Sequence, residues 1–267
     1  MALTDFQRAV CRLLADRRVA SGESYVAGGT ALNELIGAAR ISRDIDLFHD
    51  TQEALEAAWD ADRQVLEQHG FEIRGVRERP AFVEAEVCRS GETVRMEWAR
   101  DSAYRFFPLV RHADLGLHPF DLATSKVLAL VGRLEVRDWI DVIHASERIQ
   151  HLGYLALAAC GKDPWFSPPA ILEHAARSAR YSEPEVLELS FAGTPPDAGD
   201  LSRRWHAMLA AAREIVGVLP PADAGRCVLD RDGRLFTGEI VALQAALAGD
   251  AILFHSGSIR GAVPRLK

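Results

Sequence analysis

The sequence predicts an α+β fold in which a small mixed sheet flanked by helices is followed by a mostly helical region. Helix and strand patterns alternate up to residue 98. Two amphipathic helix patterns, 121–132 and 138–149, then follow in succession. A Pro- and Gly-rich stretch over 191–200 is typical of a linker. This order favours a mixed first half and a helical second half.

The predicted elements follow from apolar periodicity and turn residues. In order along the chain they are a helix over 4–20, a strand over 25–27, a helix that Thr30 opens, a strand over 45–48, a helix over 52–69, strands over 71–76, 81–88 and 93–98 with a hairpin turn at Ser90-Gly91, the helices over 121–132 and 138–149, a helix over 201–217, a hairpin over 228–236 around Asp232-Gly233, a helix over 239–248 and an apolar run over 251–254. Three regions are expected: 1–115, 116–190 and 191–267.

Composition narrows the class of protein. The net charge of −7 argues against a general nucleic-acid coating protein, although it allows local contact with RNA or nucleotide. The four cysteines form no CxxC pair, which favours a reducing, cytoplasmic environment. The sequence contains no apolar run long enough for a membrane span. Lysine occurs at three positions against 28 arginines, so a lysine inside a motif is notable.

A glycine turn joins the first predicted strand to the next helix. Val26-Ala27 is followed by Gly28, Gly29 and Thr30. The first N–H groups of a helix have no partner inside the helix and, with its dipole, attract anions. Glycines let a phosphate approach the backbone, and Thr30 adds a hydroxyl. The alternative is an ordinary strand–helix turn with Thr30 as N-cap.

Two aspartates follow on a predicted strand. Residues i and i+2 of a strand share a face, so Asp44 and Asp46 project together while Ile45 and Leu47 enter the core. Two adjacent carboxylates repel each other, and a hard cation such as Mg²⁺ relieves that repulsion. In two-metal sites, the two ions stabilise the attacking and leaving oxygens of an in-line displacement. The alternative is a solvated strand end beside Arg40 and Arg43.

Together these features resemble a known motif. The segment GGTALNELIGAARISRDIDLF is similar to the first motif of the DNA polymerase β-type nucleotidyltransferases, and more narrowly to the AbiEii/AbiGii toxin-like branch. The segment between the glycines and the aspartates, 30–43, is slightly longer than the family pattern. The resemblance implies a polymerase β-type nucleotidyltransferase core, an NTP substrate and two Mg²⁺ ions, with Mn²⁺ as an alternative.

The resemblance also implies a third metal ligand on a neighbouring strand. Glu97 is the best match, since Arg95 and Glu97 face away from the apolar side of 93–98. Family members more often carry aspartate there. Glu84 and Glu86 on the preceding strand are competing candidates, and an exposed glutamate without a metal role is the alternative.

A second signature lies in the helical region. Residues 121–142 resemble the family pattern K-x-x-A-L-x-x-R-x-x-x-R-D-x-x-D, with matches at Lys126, Ala129, Leu130, Arg133, Arg137, Asp138 and Asp141. A compact ammonium suits a triphosphate, and Asp138 and Asp141 share a helix face from which they orient Lys126 or Arg137. The alternative is a solvent-exposed helix pair with ion pairs within it.

The resemblance implies transfer of a nucleoside monophosphate from an NTP to an acceptor hydroxyl. Asp44, Asp46 and Glu97 are the expected metal ligands, and Lys126 and Asp138 are counted with them as catalytic. The expected phosphate ligands are Gly28, Gly29, Thr30, Arg43 and Lys126.

The toxin-like branch implies an RNA acceptor such as tRNA, and a cognate antitoxin. Five arginines are candidates for an RNA path: Arg100, Arg105, Arg111, Arg133 and Arg137. A scattered solvated face is the alternative for these arginines. Two functions remain beside RNA modification. One is nucleotidyl transfer to an antibiotic or other small molecule, and the other is a catalytically silent nucleotide- or partner-binding module on the same fold.

Overall fold

The structure, a computed structural model, describes residues 3–111, 114–178 and 181–265. The chain divides into two compact units. The first comprises residues 1–103 and 109–118, and the second comprises residues 104–108 and 119–267. Residues 191–267 therefore share a unit with the helices that precede them, whereas the sequence suggested a separate region beginning at 191.

The chain forms regular elements along most of the described length. Up to residue 116 these are α1 (Asp5–Ser21), β1 (Ser24–Ala27), α2 (Gly28–Leu35), β2 (Asp44–His49), α3 (Gln52–Gln68), β3 (Glu72–Arg79), β4 (Phe82–Arg89), β5 (Glu92–Arg100), β6 (Tyr104–Arg105), β7 (Val110–Arg111) and β8 (Leu115–Gly116). The later elements are α4 (Pro119–Arg133), α5 (Val136–Arg148), α6 (Leu152–Ala159), α7 (Pro168–Ala175), α8 (Glu183–Leu187), α9 (Ala198–Val218), β9 (Arg226–Leu229), α10 (Ile240–Ala248), β10 (Leu253–Ser256) and β11 (Ser258–Ile259).

The first unit is built on a seven-stranded mixed sheet. Its strand order is β3-β4-β5-β2-β1-β8-β7. The strand β2 runs parallel to β5 and antiparallel to β1, while β3, β4 and β5 form an antiparallel meander. Ser90 and Gly91 have positive φ at the β4–β5 turn, as both central residues of a two-residue type I′ hairpin turn do. The predicted α+β class, with a mixed sheet and flanking helices, is confirmed.

The two faces of this sheet differ in chemistry. Helices α1 and α3 pack on the face that carries Ile45, Leu47, Met96 and Trp98, all 0% exposed. Because side chains alternate along a strand, the polar residues between them project to the opposite face. The apolar alternation therefore aims the carboxylates of β2 and β5 away from the helix-covered core.

Two details of the prediction are wrong. Helix α2 begins at Gly28 with Ala27 as its N-cap, so Thr30 lies inside the helix and neither opens nor caps it. The predicted hairpin over 228–236 reverses the chain with backbone hydrogen bonds from Phe236 to Val228 and from Asp230 to Arg234, but it forms an isolated bridge between Leu229 and Leu235 in place of two paired strands. The strand β9 pairs instead with β10, a partner about 25 residues away whose apolar run was recognised without a pairing.

In the second unit, α6 is the central element. All eight of its residues are buried, and it packs against α4, α7, α9 and β9. A helix that is apolar on every side is expected where neighbours surround it. Among the described residues, no helix combines the length and apolar character needed to cross a membrane.

Candidate active site

A row of carboxylates crosses the open face of the sheet in the first unit. The parallel pairing of β2 with β5 places Asp46 opposite Glu97, and the antiparallel pairing of β5 with β4 places Glu97 opposite Glu84. One step along the strands, Asp44 lies opposite Arg95 and Arg95 opposite Glu86. The register thus brings together Asp44, Asp46 and Glu97, which the sequence placed on separate motifs.

The glycine turn touches this row directly. Gly28 has φ +67°, and a Cβ added to it would lie 1.6 Å from Oδ2 of Asp46. No side chain fits there, so the backbone at the start of α2 approaches the carboxylate as closely as a chain can. The turn and Asp46 are therefore in direct contact.

The other predicted phosphate ligands are placed unequally. Gly29 is buried in the first turn of α2, and Arg43 is exposed just before β2. Thr30 is 2% exposed, and its hydroxyl donates to the carbonyl oxygen of Asp44 at 2.5 Å. The Thr30 proton is thus used to join α2 to β2, which fixes the distance between the turn and the aspartates.

Glu97 shows the electrostatic strain of the row. Burial of its carboxyl raises the pKa of Glu97, and the nearby negative charges of Asp46 and Asp44 raise it further. Arg95 offsets only part of this effect. A carboxyl whose neighbours are carboxylates is poised for a cation, which would favour its charged form.

Arg95 is a site residue that sequence reasoning missed. Its Nε donates to Oδ1 of Asp44 at 2.8 Å, and its Nη2 donates to Oδ2 at 2.6 Å. The signal was present in the sequence, because Arg95 precedes Glu97 by two residues and therefore shares its face. What could not be read from the sequence was the parallel β2–β5 register that sets Arg95 opposite Asp44.

The donor set fits a hard divalent ion in chemistry. Carboxylate oxygens are the ligands that Mg²⁺ prefers, and the close approach of Gly28 leaves the Asp46 carboxylate beside backbone rather than under a side chain. Within the described ranges, no group of three or more His, Cys, Asp or Glu side chains is already arranged to hold a metal ion. Both oxygens of Asp44 accept from Arg95 instead.

The second signature forms a buried ionic cluster in the second unit. Lys126 Nζ lies 2.9 Å from Asp138 Oδ1 and 3.2 Å from Asp141 Oδ2. Arg133 contacts the same Asp138 through Nε at 2.5 Å and Nη2 at 2.9 Å. Both carboxylates are 0% exposed, so the alternative of a solvent-exposed helix pair is wrong. Asp138 and Asp141 both contact Lys126, whereas Arg137 contacts Glu135.

The Asp138 carboxyl is stabilised in its charged form. Burial acts to raise its pKa, but the hydrogen bond from Arg133 and the charge of Lys126 outweigh burial, and the pKa of Asp138 is lowered. Charge-assisted, two-point contacts of this kind are the strong ones. The cluster joins α4 to α5 inside the second unit.

The five arginines suggested for an RNA path differ in exposure and in ion pairing. Arg105 is 4% exposed and therefore cannot contribute to an open path, contrary to prediction. Arg133 and Arg137 form ion pairs with Asp138 and Glu135. Arg100 and Arg111 are exposed in the first unit.

The first unit is similar to a known family. The model of the family described as nucleotidyl transferase AbiEii toxin, Type IV TA system, matches residues 12–109. That range contains the glycine turn, both aspartates and Glu97. No protein of curated function matches the sequence significantly.

Two solved structures share the fold. JHP933 from Helicobacter pylori is 14% identical, with 80% of this chain and 95% of that chain covered and a TM-score of 0.52. MenT4, the nucleotidyltransferase toxin Rv2826c from Mycobacterium tuberculosis H37Rv, is 18% identical, with 79% of this chain and 83% of that chain covered and a TM-score of 0.52. At these identities the likeness is one of fold.

The fold and the matched family define the class of protein as a nucleotidyltransferase. Within that class, residues 12–109 are similar to the AbiEii nucleotidyltransferase toxin family. The match confirms the resemblance inferred from the first sequence motif, whereas the second motif, 121–142, lies outside the matched range.

Proposed function

We propose that this enzyme transfers a nucleoside monophosphate from an NTP to the hydroxyl of an RNA acceptor, in a Mg²⁺-dependent reaction. The observation that carries the proposal is the contact of the glycine turn with the carboxylate row. Gly28 lies against Asp46, and Asp46 lies opposite Glu97. A phosphate-binding turn and a set of oxygen ligands at one place are what phosphoryl transfer needs.

The chain's own groups have separate roles in this proposal. Asp44, Asp46 and Glu97 would hold the metal ions, and the first-turn N–H groups of α2 would bind the triphosphate. Thr30 keeps the turn beside β2 through its hydrogen bond to Asp44. When bound, Mg²⁺ supplies stabilisation of the charge that develops on the transferred phosphoryl group.

The reaction exchanges one phosphorus–oxygen bond for another. The acceptor hydroxyl oxygen attacks the α-phosphorus and releases its proton to water, the bond to the β-phosphate breaks, and pyrophosphate leaves with the bonding electrons. Positioning and charge stabilisation supply most of the rate in such reactions.

We also propose that Lys126 binds the triphosphate, as its place in the second sequence motif led us to expect. An ammonium has three donors, and its contacts with Asp138 and Asp141 use two of them. We assign Asp138 the role of positioning Lys126. This role is separable from metal binding because Asp138 contacts Lys126 and Arg133 and is not one of the proposed metal ligands.

The acceptor and partner follow from the family description. The matched family is a toxin of a type IV toxin–antitoxin system, and MenT4 is described as a nucleotidyltransferase toxin. We therefore propose RNA, with tRNA as the first candidate, as acceptor and a cognate antitoxin protein as partner.

A labelling assay tests the proposal. The full-length protein is incubated with Mg²⁺, each α-³²P-labelled NTP in turn and total RNA, and transfer is read on a gel. One NTP is expected to label RNA, and Asp46→Asn is expected to lower the rate about a thousandfold because it weakens the binding of the metal ion that would stabilise the reacting phosphate. Asp60→Asn, an exposed aspartate on α3, is the matched control and should be fully active.

Other outcomes separate the alternatives. If a small molecule is labelled and RNA is not, the acceptor is a small molecule. If cells that express wild type grow as well as cells that express Asp46→Asn, the protein does not act as a toxin. The Arg95–Asp44 ion pair favours a second candidate, a silent nucleotide-binding module. Tight NTP binding with no transfer to any acceptor would support that module.

A further inference from the structure

Arg95 occupies the carboxylate that the proposed metal ions need. Both oxygens of Asp44 accept hydrogen bonds from the Arg95 guanidinium, at 2.8 Å and 2.6 Å. A carboxylate binds Mg²⁺ through the same oxygens. Arg95 and a metal ion therefore compete directly for Asp44.

The surroundings of Arg95 allow its guanidinium to move away from Asp44 and still have water and other carboxylates nearby. Its side chain is 45% exposed, whereas that of Asp44 is 12% exposed. Glu86 lies directly opposite on β4, and Oε1 of Glu97 is 3.8 Å from Nε of Arg95. A guanidinium that turns away from Asp44 stays among carboxylates and close to water, so the movement leaves no buried unpaired cation.

The arrangement is set by the backbone. On the three strands β2, β5 and β4, this face carries the carboxylates of Asp44, Asp46, Glu84, Glu86 and Glu97 and the guanidinium of Arg95. Five like charges on neighbouring strands are destabilising; Arg77 offsets the charge of Glu84, and Arg95 offsets that of Asp44.

We propose that Arg95 is a built-in cation that holds Asp44 in the metal-free enzyme and is displaced when the metal ion binds. This inference rests on the proposed metal role of Asp44. It makes Arg95 a gating residue, which lowers the affinity of the resting enzyme for free metal. If the paired arrangement is ten times more populated than the open one, the apparent affinity is about tenfold weaker than the intrinsic affinity.

Metal binding to the nucleotide-free protein tests the gate. Mn²⁺ is titrated into the full-length chain, and the free ion is followed by electron paramagnetic resonance. Arg95→Met, which keeps the aliphatic length, is expected to bind Mn²⁺ about tenfold more tightly than wild type. Arg95→Lys should fall between the two, because lysine keeps the charge but lacks the two-point fork.

A second readout uses stability without metal. Arg95→Met should melt at a lower temperature than wild type in chelator, since its carboxylates are no longer offset. Saturating Mn²⁺ should raise the melting temperature of Arg95→Met more than that of wild type. A purely structural role for Arg95 predicts the first shift without the second.

The control is Arg74→Met. Arg74 lies on β3, opposite Glu86 and therefore in line with Arg95 across the sheet, but its guanidinium contacts Glu72. The Arg74→Met substitution removes the same charge from the same face but leaves the Arg95–Asp44 contact in place. An Mn²⁺ affinity that is equal or weaker in Arg95→Met, or equally tighter in Arg74→Met, would overturn the gate.

The failure of the gate is distinguishable from that of the metal site. If Asp44→Asn binds Mn²⁺ as tightly as wild type, Asp44 is not a metal ligand and the proposed function loses its site. If Asp44→Asn loses Mn²⁺ binding while Arg95→Met gains none, the metal site stands and only the gate is wrong.

Discussion

The acidic side chains of the two units have opposite surroundings. In the first unit, five carboxylates share one face of three strands with the guanidinium of Arg95, and Arg77 on the next strand contacts Glu84. In the second unit, Asp138 and Asp141 are buried against Lys126 and Arg133 at 2.5–3.2 Å. The first cluster is destabilising unless a cation joins it, and the second is balanced by the chain itself. The contrast separates the proposed metal site from an ion-pair network that supports the fold.

The same comparison bears on where lysine occurs in a chain that otherwise uses arginine. Lys162 resembles Lys126, since its Nζ lies 3.0 Å from the buried carboxylate of Asp121 and also donates to Ser125. The third lysine, Lys267, lies outside the described residues. A compact ammonium fits a buried position that a planar guanidinium would overfill. Retention of lysine at 126 is thus accounted for by packing as well as by the proposed phosphate binding.

The largest expected effect is on activity, at the point where the turn meets the carboxylate row. Gly28→Ala places a methyl group where Oδ2 of Asp46 now lies, so either the turn or the carboxylate must shift. A displacement of about 1 Å at a reacting centre costs about a hundredfold in rate. Transfer by Gly28→Ala is therefore expected to fall at least a hundredfold in the labelling assay.

Gly37→Ala is the matched control for backbone strain. Gly37 also has positive φ, +61°, but a Cβ there meets nothing within 4 Å. It should lose about 1 kcal/mol of stability from the left-handed conformation and keep its transfer rate. Equal loss of activity in both variants would show that strain, and not contact with Asp46, is responsible.

The next effect is on stability and concerns the second unit. Asp138→Asn leaves Lys126 and Arg133 facing a neutral group inside the unit, and breaking a buried pair in this way costs about 3 kcal/mol. Urea unfolding at neutral pH measures the loss. Asp200→Asn removes an exposed ion pair of α9 and should change stability by less than about 0.5 kcal/mol.

The same carboxylate predicts a pH dependence. Because the folded-state pKa of Asp138 is below its unfolded value, its stabilising contribution is complete above the unfolded pKa and is lost as pH falls through the folded pKa. The stability difference between wild type and Asp138→Asn should therefore be largest at neutral pH and shrink as the pH is lowered below about 4. A difference that stays constant to pH 3 would show that Asp138 does not act through its charge.

The two units also differ in what the sequence revealed. Alternation along β2 and β5 was enough to predict which side chains leave the core, and the compound motif joined Gly28 to Asp46. The register between β2 and β5 was not encoded locally, so the Arg95 contact was missed. In the second unit, the i, i+3 spacing of Asp138 and Asp141 was visible, but their burial was not. Burial depends on how α4 and α5 pack against each other, which helix periodicity alone does not specify.

The smallest expected effect distinguishes the clusters most directly, because it has the opposite sign. Glu97→Gln removes one of three carboxylates that lie opposite one another across β2, β5 and β4. Relief of this repulsion should raise the free energy of unfolding by about 0.5 kcal/mol in chelator at neutral pH, whereas loss of Asp138 lowers it. Glu92→Gln, at the exposed start of the same strand and opposite Arg89, should give no gain. If Glu97→Gln instead destabilises the protein as Asp138→Asn does, the carboxylate row is part of the structural ion pairing, and the distinction between the two units fails.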